Sequence, residues 1–161
     1  MFKPKFQTLI KVEQFTSDED VCLGSQLIQI VNVLKEILKP HFWYGANLFS
    51  FDEFRGKNKQ NSFNTFYIGD DNELIKIASN VEQFLSGVLF AVDEQCISQK
   101  IDHLSIDTED EQYREVDMKD VLLEIRLFDT SFFSIFSEKY DIIEKLSKKF
   151  KTNIVKKNQI S

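Results

Sequence analysis

The acidic run from residue 107 to residue 120 is the part of this sequence with the most potential for chemistry. Seven of its fourteen residues carry carboxylates: Asp107, Glu109, Asp110, Glu111, Glu115, Asp117 and Asp120. Clustered carboxylates can bind a divalent cation, transfer protons in catalysis or attract a basic protein, and similar runs also occur in loops that are simply solvated. An apolar stretch, residues 121–128, follows directly. Other features of the sequence must separate these four interpretations.

The acidic run lacks the spacing of a calcium loop. An EF-hand places oxygen ligands at alternating positions, a Gly at the sharp turn and a Glu at the twelfth position. Residues 107–118 read DTEDEQYREVDM, so Tyr113 is seventh, Glu115 is ninth and Met118 is last, and no Gly is present. The sequence therefore predicts no calcium site.

A second arrangement of charged residues follows inside the apolar stretch. Glu124 and Arg126 are two positions apart, with Asp107 and Asp117 upstream, an order similar to the Asp…Glu-x-Lys sites of metal-dependent nucleases. Arg replaces the Lys, and a guanidinium does not readily give up its proton. On a strand Glu124 and Arg126 share one face, which favours an ion-pair role. A metal-dependent hydrolase or nuclease that uses the carboxylates of residues 107–124 remains the alternative function.

No other group of residues has the spacing of a catalytic site. His41 and His103 are far apart and have no paired nucleophile, so each is interpreted as a packed or surface residue. Cys22 and Cys96 are too few for a disulfide scaffold and lack zinc spacing. The acidic start of residues 69–72 would repel a phosphate from a helix N-terminus. The sequence predicts no catalytic residue, no metal and no cofactor.

The charge of the chain is negative and uneven. The net charge is −6; residues 1–120 carry −9 and residues 121–161 carry +3. An acidic body argues against nucleic acid as a partner, because phosphate binding relies on Lys and Arg. The N-terminus has no apolar signal-peptide core, and no apolar stretch approaches the roughly 18 residues that span a bilayer. We therefore expect a cytoplasmic protein that does not bind a membrane.

The hydrophobic periodicity predicts how these residues are positioned. Apolar residues spaced by three and four predict a helix that ends at Lys39-Pro40: Leu23, Leu27, Val31, Leu34 and Leu38. A second helix is predicted over residues 69–87 and a third over 137–150. Together with predicted strands these give the order β–α–β–β–α–β–β–β–α. The prediction is an α+β fold in which residues 1–150 form a single domain, with a mostly antiparallel sheet and about three helices packed on it. Residues 151–161 are predicted to be a frayed basic tail.

The apolar stretch 121–128 is predicted to be the central strand. Its alternation places Val121, Leu123, Ile125 and Leu127 on one wholly apolar face. Asp-Thr-Ser at 129–131 is a turn signal, so residues 121–128 and 132–137 are predicted to form a β-hairpin.

The C-terminal hairpin and helix also carry a resemblance. Residues 124–150, EIRLFDTSFFSIFSEKYDIIEKLSKKF, resemble the C-terminal end of small acidic bacterial immunity proteins of polymorphic toxin and contact-dependent inhibition systems. The resemblance implies a non-catalytic protein that binds and neutralises a basic toxin, such as a nuclease. In that interpretation the seven carboxylates of the acidic run bind the partner.

Overall fold

A computed structural model describes residues 2–15, 24–50, 65–82, 84–93, 120–128 and 132–156. Within these residues the chain forms a seven-stranded sheet, in which every strand pairs antiparallel with its neighbours, and three α-helices. The strands are β1 (Phe6–Lys11), β2 (His41–Ser50), β3 (Thr65–Gly69), β4 (Phe84–Asp93), β5 (Val121–Phe128), β6 (Phe132–Ser137) and β7 (Ile154–Lys156). The helices are α1 (Gly24–Ile37), α2 (Asp71–Ala78) and α3 (Tyr140–Phe150). The predicted single-domain α+β fold with a mostly antiparallel sheet is confirmed.

The strands lie in the order β3-β2-β4-β5-β6-β1-β7, and residues on both faces of this sheet are buried. On one face, side chains of the three helices and of strands β1 to β6 form a large core. Its fully buried members include Ile10, Leu27, Leu34, Trp43, Leu74, Leu89, Ile125, Phe133 and Leu146. The other face has a smaller cluster: Phe2, Tyr44, Ala46, Val88, Phe90, Val92, Val121 and Phe136. No helix in the described part of the chain is long and apolar enough to cross a membrane.

Helix α1 follows its predicted hydrophobic stripe. Leu27, Val31 and Leu34 are fully buried, as the spacing of three and four requires. The helix begins at Gly24 against the end of α2, where a Cβ atom would lie 2.1 Å from the carbonyl oxygen of Ala78. Only glycine allows the two helices to approach this closely.

The predicted helix over residues 69–87 is too long. Helix α2 ends at Ala78, and Phe84 already belongs to β4. The Ser79 hydroxyl and the Asn80 side-chain amide both donate hydrogen bonds to the carbonyl of Lys76, and such local bonds compete with continuation of the helix. Gly87, the last residue of the predicted helix, pairs with Leu127 inside the sheet.

The predicted hairpin of residues 121–128 and 132–137 is present as β5 and β6, but one residue of its apolar face was misassigned. A register shift places Val92 opposite Val121, whereas Ala91 lies opposite Leu123. Leu122 is therefore an extra residue, as in a β-bulge, and it packs on the helix side while Val121 packs on the other face. A strict period of two cannot anticipate this change.

The basic tail is ordered further than predicted. Helix α3 ends at Phe150, its C-cap residue Lys151 adopts a left-handed conformation, and residues Ile154–Lys156 then pair with β1 as strand β7. The Thr8 hydroxyl contacts the Thr152 hydroxyl at 2.5 Å and donates to the Asn153 carbonyl at 3.0 Å. The predicted fraying from residue 151 is therefore wrong for residues 151–156, and residues 157–161 lie outside the described part of the chain.

Candidate functional site

Four strand ends meet at one end of the sheet. Strand β2 begins at His41, which lies opposite Asp93 at the end of β4, and Gly69 at the end of β3 lies opposite Trp43. The Asp93 N–H donates a 3.1 Å hydrogen bond to the carbonyl of Asp120, which precedes β5. The residues that flank the 26-residue segment 94–119 therefore both lie at this end of the sheet.

Acidic side chains converge on this end of the sheet. We define the sheet-end surface by its five carboxylates: Asp70, Asp71, Glu73, Asp93 and Asp120. The basic groups beside them are Lys35, Lys39 and His41, and Lys39 pairs with Asp93 at 2.7 Å. Asp70, Glu73 and Asp120 are exposed. Carboxylates outnumber the basic groups, so the described part of this surface is net acidic.

One of the seven predicted partner-binding residues belongs to this surface. Asp120 is exposed and has a positive φ of 58° at the start of β5. The other six lie outside the described residues: Asp107, Glu109, Asp110, Glu111, Glu115 and Asp117. The sequence did not identify Asp70, Glu73 or Asp93, because only strand pairing places them at the same end of the sheet as Asp120.

A tight strand-to-helix connection positions the acids of α2. Gly69 has a φ of 131°, and a Cβ atom there would lie 2.8 Å from Cβ and Cγ of Glu73. Asp70 then caps the helix, since its Oδ1 accepts a 2.9 Å hydrogen bond from the Glu73 N–H. Asp71 and Glu73 in the first turn add favourable charge at the positive end of the helix. The turn thus presents three carboxylates within four residues.

A buried hydrogen-bonded group joins α2 to β2. Oδ1 of Asp71 lies 2.8 Å from Nε2 of His41 and accepts a 2.7 Å hydrogen bond from Nε1 of Trp43. Nδ1 of His41 lies 2.8 Å from the carbonyl oxygen of Lys39. Trp43 is fully buried and the His41 side chain is only 2% exposed. One carboxylate therefore fixes two side chains of the neighbouring strand.

This geometry favours the protonated form of His41. Both partners of the ring, a carbonyl and an ionised carboxylate, are acceptors, so both ring nitrogens must donate to satisfy them. Burial lowers the pKa of His41, but the hydrogen bonds to Asp71 and the Lys39 carbonyl and the charge of Asp71 outweigh it and raise the pKa above 6.5. Burial raises the pKa of Asp71, but its bonds with His41 and Trp43 and the nearby charges leave it below 3.8. Both shifts favour the charged forms, an imidazolium beside a carboxylate.

A pocket of about 440 Å³ lies beside this pair. It is lined by Lys35, Leu38, Lys39, Pro40, His41, Phe42, Asp70 and Asp71. Its polar groups bond with one another or with their neighbours: Lys35 Nζ donates to Asn72 Oδ1 at 3.2 Å, and Lys39 pairs with Asp93. Both ring nitrogens of His41 contact hydrogen-bond acceptors, the Asp71 carboxylate and the Lys39 carbonyl.

The second candidate, Glu124 and Arg126, lies inside the sheet. Both side chains are buried on the face opposite the helices, at 0% and 2% exposure, and Arg126 Nε donates to Glu124 Oε1 at 2.5 Å. The predicted shared face is confirmed, and the two residues pair with each other along one strand. Within the residues that the structure describes, no three His, Cys, Asp or Glu side chains are placed to hold a metal ion.

The His41–Asp71 pair could not be identified from the sequence, because 30 positions separate the two residues. The sequence showed only a histidine at the start of an aromatic segment and an acidic helix start. Pairing of β2 with β3 brings these segments together.

Comparisons add no further identification. No protein-family model, curated protein or solved structure matches this chain.

Proposed function

We propose that this protein is a non-catalytic protein-binding module, an immunity protein of the bacterial cytoplasm that binds and neutralises a basic toxin such as a nuclease. The observation that carries the proposal is the Asp93–Asp120 hydrogen bond at the acidic end of the sheet. It joins the start and end of segment 94–119 to a surface that is itself acidic. Asp120, the last acid of the run, thereby lies at the same end of the sheet as residues 70–73.

The charge of this region suits a basic partner. Segment 94–119 contains eight acidic and three basic residues, and the sheet-end surface is net acidic as well. Complementary charge accelerates encounter between proteins and disfavours partners of the same sign. The same charge disfavours nucleic acid, whose phosphates an acidic surface repels. A basic protein is the partner that this charge distribution supports best.

The alternative, a metal-dependent hydrolase, requires Glu124 to be available as a ligand. Its carboxylate is fully buried and already accepts a hydrogen bond from Arg126. Releasing it would leave a buried guanidinium without its counter-charge, which is costly. Divalent metal separates the two functions: a hydrolase with a metal site gains several degrees in melting temperature from saturating Mg²⁺ or Mn²⁺. We expect no such gain.

The test begins with the neighbouring genes, one of which we expect to encode a large toxin, and the direct measurement is binding to the domain of that toxin. We expect a complex whose association rate falls as salt rises, because screening acts beyond about 8 Å at physiological ionic strength. Changing Glu109, Asp110 and Glu111 together to Gln should lower that rate and flatten its salt dependence. Stopped-flow measurements over a series of salt concentrations give both quantities.

A matched variant controls for net charge alone. Changing Glu13, Glu82 and Glu144 together to Gln removes the same charge from outside both acidic sets, and we expect a much smaller change in the association rate. Equal rates and salt slopes for wild type and the Glu109, Asp110 and Glu111 variant would show that the run is only a solvated loop. Metal-dependent cleavage of a nucleic acid or phosphoester, abolished by Glu124→Gln, would replace the proposal with the hydrolase.

A further inference from the structure

Tyr67 is a large exposed side chain on a strand. Its relative exposure is 48%, and in the described part of the chain only Tyr67, Tyr140 and Val155 combine large apolar surface with such exposure. Its ring packs edge-on against Tyr44 with centroids 5.4 Å apart, and against Phe42 at 6.1 Å. Because Phe42 also lines the pocket beside His41, these three rings connect that pocket to the edge of the sheet.

The strand that carries Tyr67 is the terminal strand of the sheet. Among the described residues β3 pairs with β2 alone. A terminal strand presents backbone N–H and C=O groups that can pair with an added strand. Tyrosine is also among the side chains that most often contribute large binding energies at interfaces. Within the described part of the chain, β3 therefore combines an unpaired outer edge with an aromatic anchor.

Two carboxylates define the charge around this anchor. Burial raises the pKa of the Tyr67 hydroxyl, and the negative charges of Asp70 and Glu73 raise it further. Both acids are exposed and lie in the turn and first helical residues that follow β3. An aromatic ring next to carboxylates is a favourable site for a guanidinium, which can stack on the ring and form paired hydrogen bonds to a carboxylate.

The protein already contains such an arrangement in its interior. The guanidinium carbon of Arg126 lies 5.7 Å from the centre of the Phe136 ring, while its Nε donates to Glu124. Tyr67 with Asp70 and Glu73 offers the same combination of ring and carboxylate, but at the surface.

We propose that β3 receives an extended segment of the basic partner as an added strand, and that an arginine of this segment stacks on Tyr67 and pairs with Asp70 and Glu73. This inference rests on the proposed function, because it specifies how that partner is recognised. A second copy of this chain fits less well through its own β3, since that strand, TFYIG, carries no arginine to stack on Tyr67.

The test uses a ten-residue acetylated peptide of alternating threonine and arginine as the probe, with the full chain labelled for NMR. We expect saturable shifts at the backbone amides of residues 65–70. The corresponding threonine–glutamate peptide should cause none, and the threonine–lysine peptide should bind several-fold more weakly.

Variants locate the binding. Tyr67→Leu keeps an apolar side chain but removes the ring, and we expect about five-fold weaker binding or more, the scale of one cation–π contact. Asp70→Asn together with Glu73→Gln removes the charge while Asn retains the helix cap, and should weaken binding comparably. Tyr140→Leu is the matched control, an exposed tyrosine outside β3, and should leave binding unchanged.

The outcomes separate this inference from the proposed function. Absence of shifts at residues 65–70, or arginine-peptide binding that Tyr67→Leu leaves unchanged, would overturn the docking of an arginine at β3. The proposed function would still stand if the toxin domain bound with its salt dependence intact. Concentration-dependent shifts at residues 65–69 and 154–156 without peptide would identify a second copy as the occupant and would also overturn the inference.

Discussion

Arg126 and Glu124 form a buried ion pair along strand β5, with 2.5 Å between Nε and Oε1. The pair lies on the sheet face opposite the helices, where Val88 is opposite Arg126 and Phe90 is opposite Glu124. A charged pair among apolar side chains is stable only while both partners are present, because either ion alone is poorly solvated there.

Removing one member of this pair should therefore be severe. We expect Glu124→Leu and Arg126→Met each to lower the free energy of unfolding by about 3–5 kcal/mol. The double variant should lose much less than the sum, because it leaves no isolated charge. Urea denaturation of the wild type, the two single variants and the double variant gives the coupling free energy between Glu124 and Arg126. Additive losses would show that the two residues act independently.

The stability of the protein should fall as pH rises through the pKa of His41. The folded pKa of His41 is raised above 6.5, so its contribution is fully present below that pH and is lost as pH rises through the folded value. For Asp71 the folded pKa is lowered below 3.8, so its contribution is present above that pH and is lost in stronger acid.

Urea unfolding of wild type and His41→Gln from about pH 5 to pH 9 measures the first effect. The stability difference between the two proteins should be greatest at the acid end of this range and should shrink toward the alkaline end. A difference that is constant with pH would mean that His41 has the same pKa in the folded and unfolded states.

Helix α1 should not tolerate a methyl group at its first residue. A Cβ atom at position 24 would lie 2.1 Å from the Ala78 oxygen and 2.3 Å from the Val81 oxygen, and both are backbone atoms. We expect Gly24→Ala to cost about 1–3 kcal/mol, the usual range for forced overpacking. Ser25→Ala at the next, exposed position should change stability by less than about 0.5 kcal/mol. Equal melting temperatures for the two variants would contradict the close approach of α1 and α2.

The centre of the sheet should not accept a charge. Ile125 is fully buried in the helix-side core and lies opposite Ile135 and Leu89. We expect Ile125→Asp to unfold the protein, since an unpaired buried charge costs several kcal/mol and a whole domain is stable by about 5–15 kcal/mol. Val155→Asp, on the exposed part of β7, should remain folded. Circular dichroism of the two variants decides the point, and a cooperative native-like melt for Ile125→Asp would contradict this core.

The fold was predictable where apolar residues repeat at helical or strand spacing, because that spacing places them on one buried face. The stripe of Leu27, Val31 and Leu34 and the alternation of Leu123, Ile125 and Leu127 both correspond to the helix-side core. The period fails where a single residue is inserted, as at Leu122, or where short side chains end a helix early, as at Ser79. Those features depend on local hydrogen bonds and register, which have no hydrophobic signature.

Of the candidate site, only its negative charge was predictable from the sequence. Its geometry arises from pairing of β2 with β3 and β4, which brings His41 to Asp71 and to Asp93. These contacts are long-range, and each of the residues alone resembles an ordinary surface or helix-start residue. Strand β7 was missed for a related reason: Ile154 and Val155 stand in a basic segment whose partner, β1, is at the other end of the chain.

The position of β1 between β6 and β7 has a consequence for synthesis on the ribosome. Phe6 pairs with Ser137 on one side and with Lys156 on the other, so β1 lies between two strands that are translated much later. Its backbone hydrogen bonds to β6 and β7 cannot form until residues 132–156 have been translated, and closing so long a loop is slow. During that interval the β1 segment, with Ile10 destined for the core, is available to chaperones. This side of the sheet is therefore completed late, when residues 6–11 and 132–156 come together.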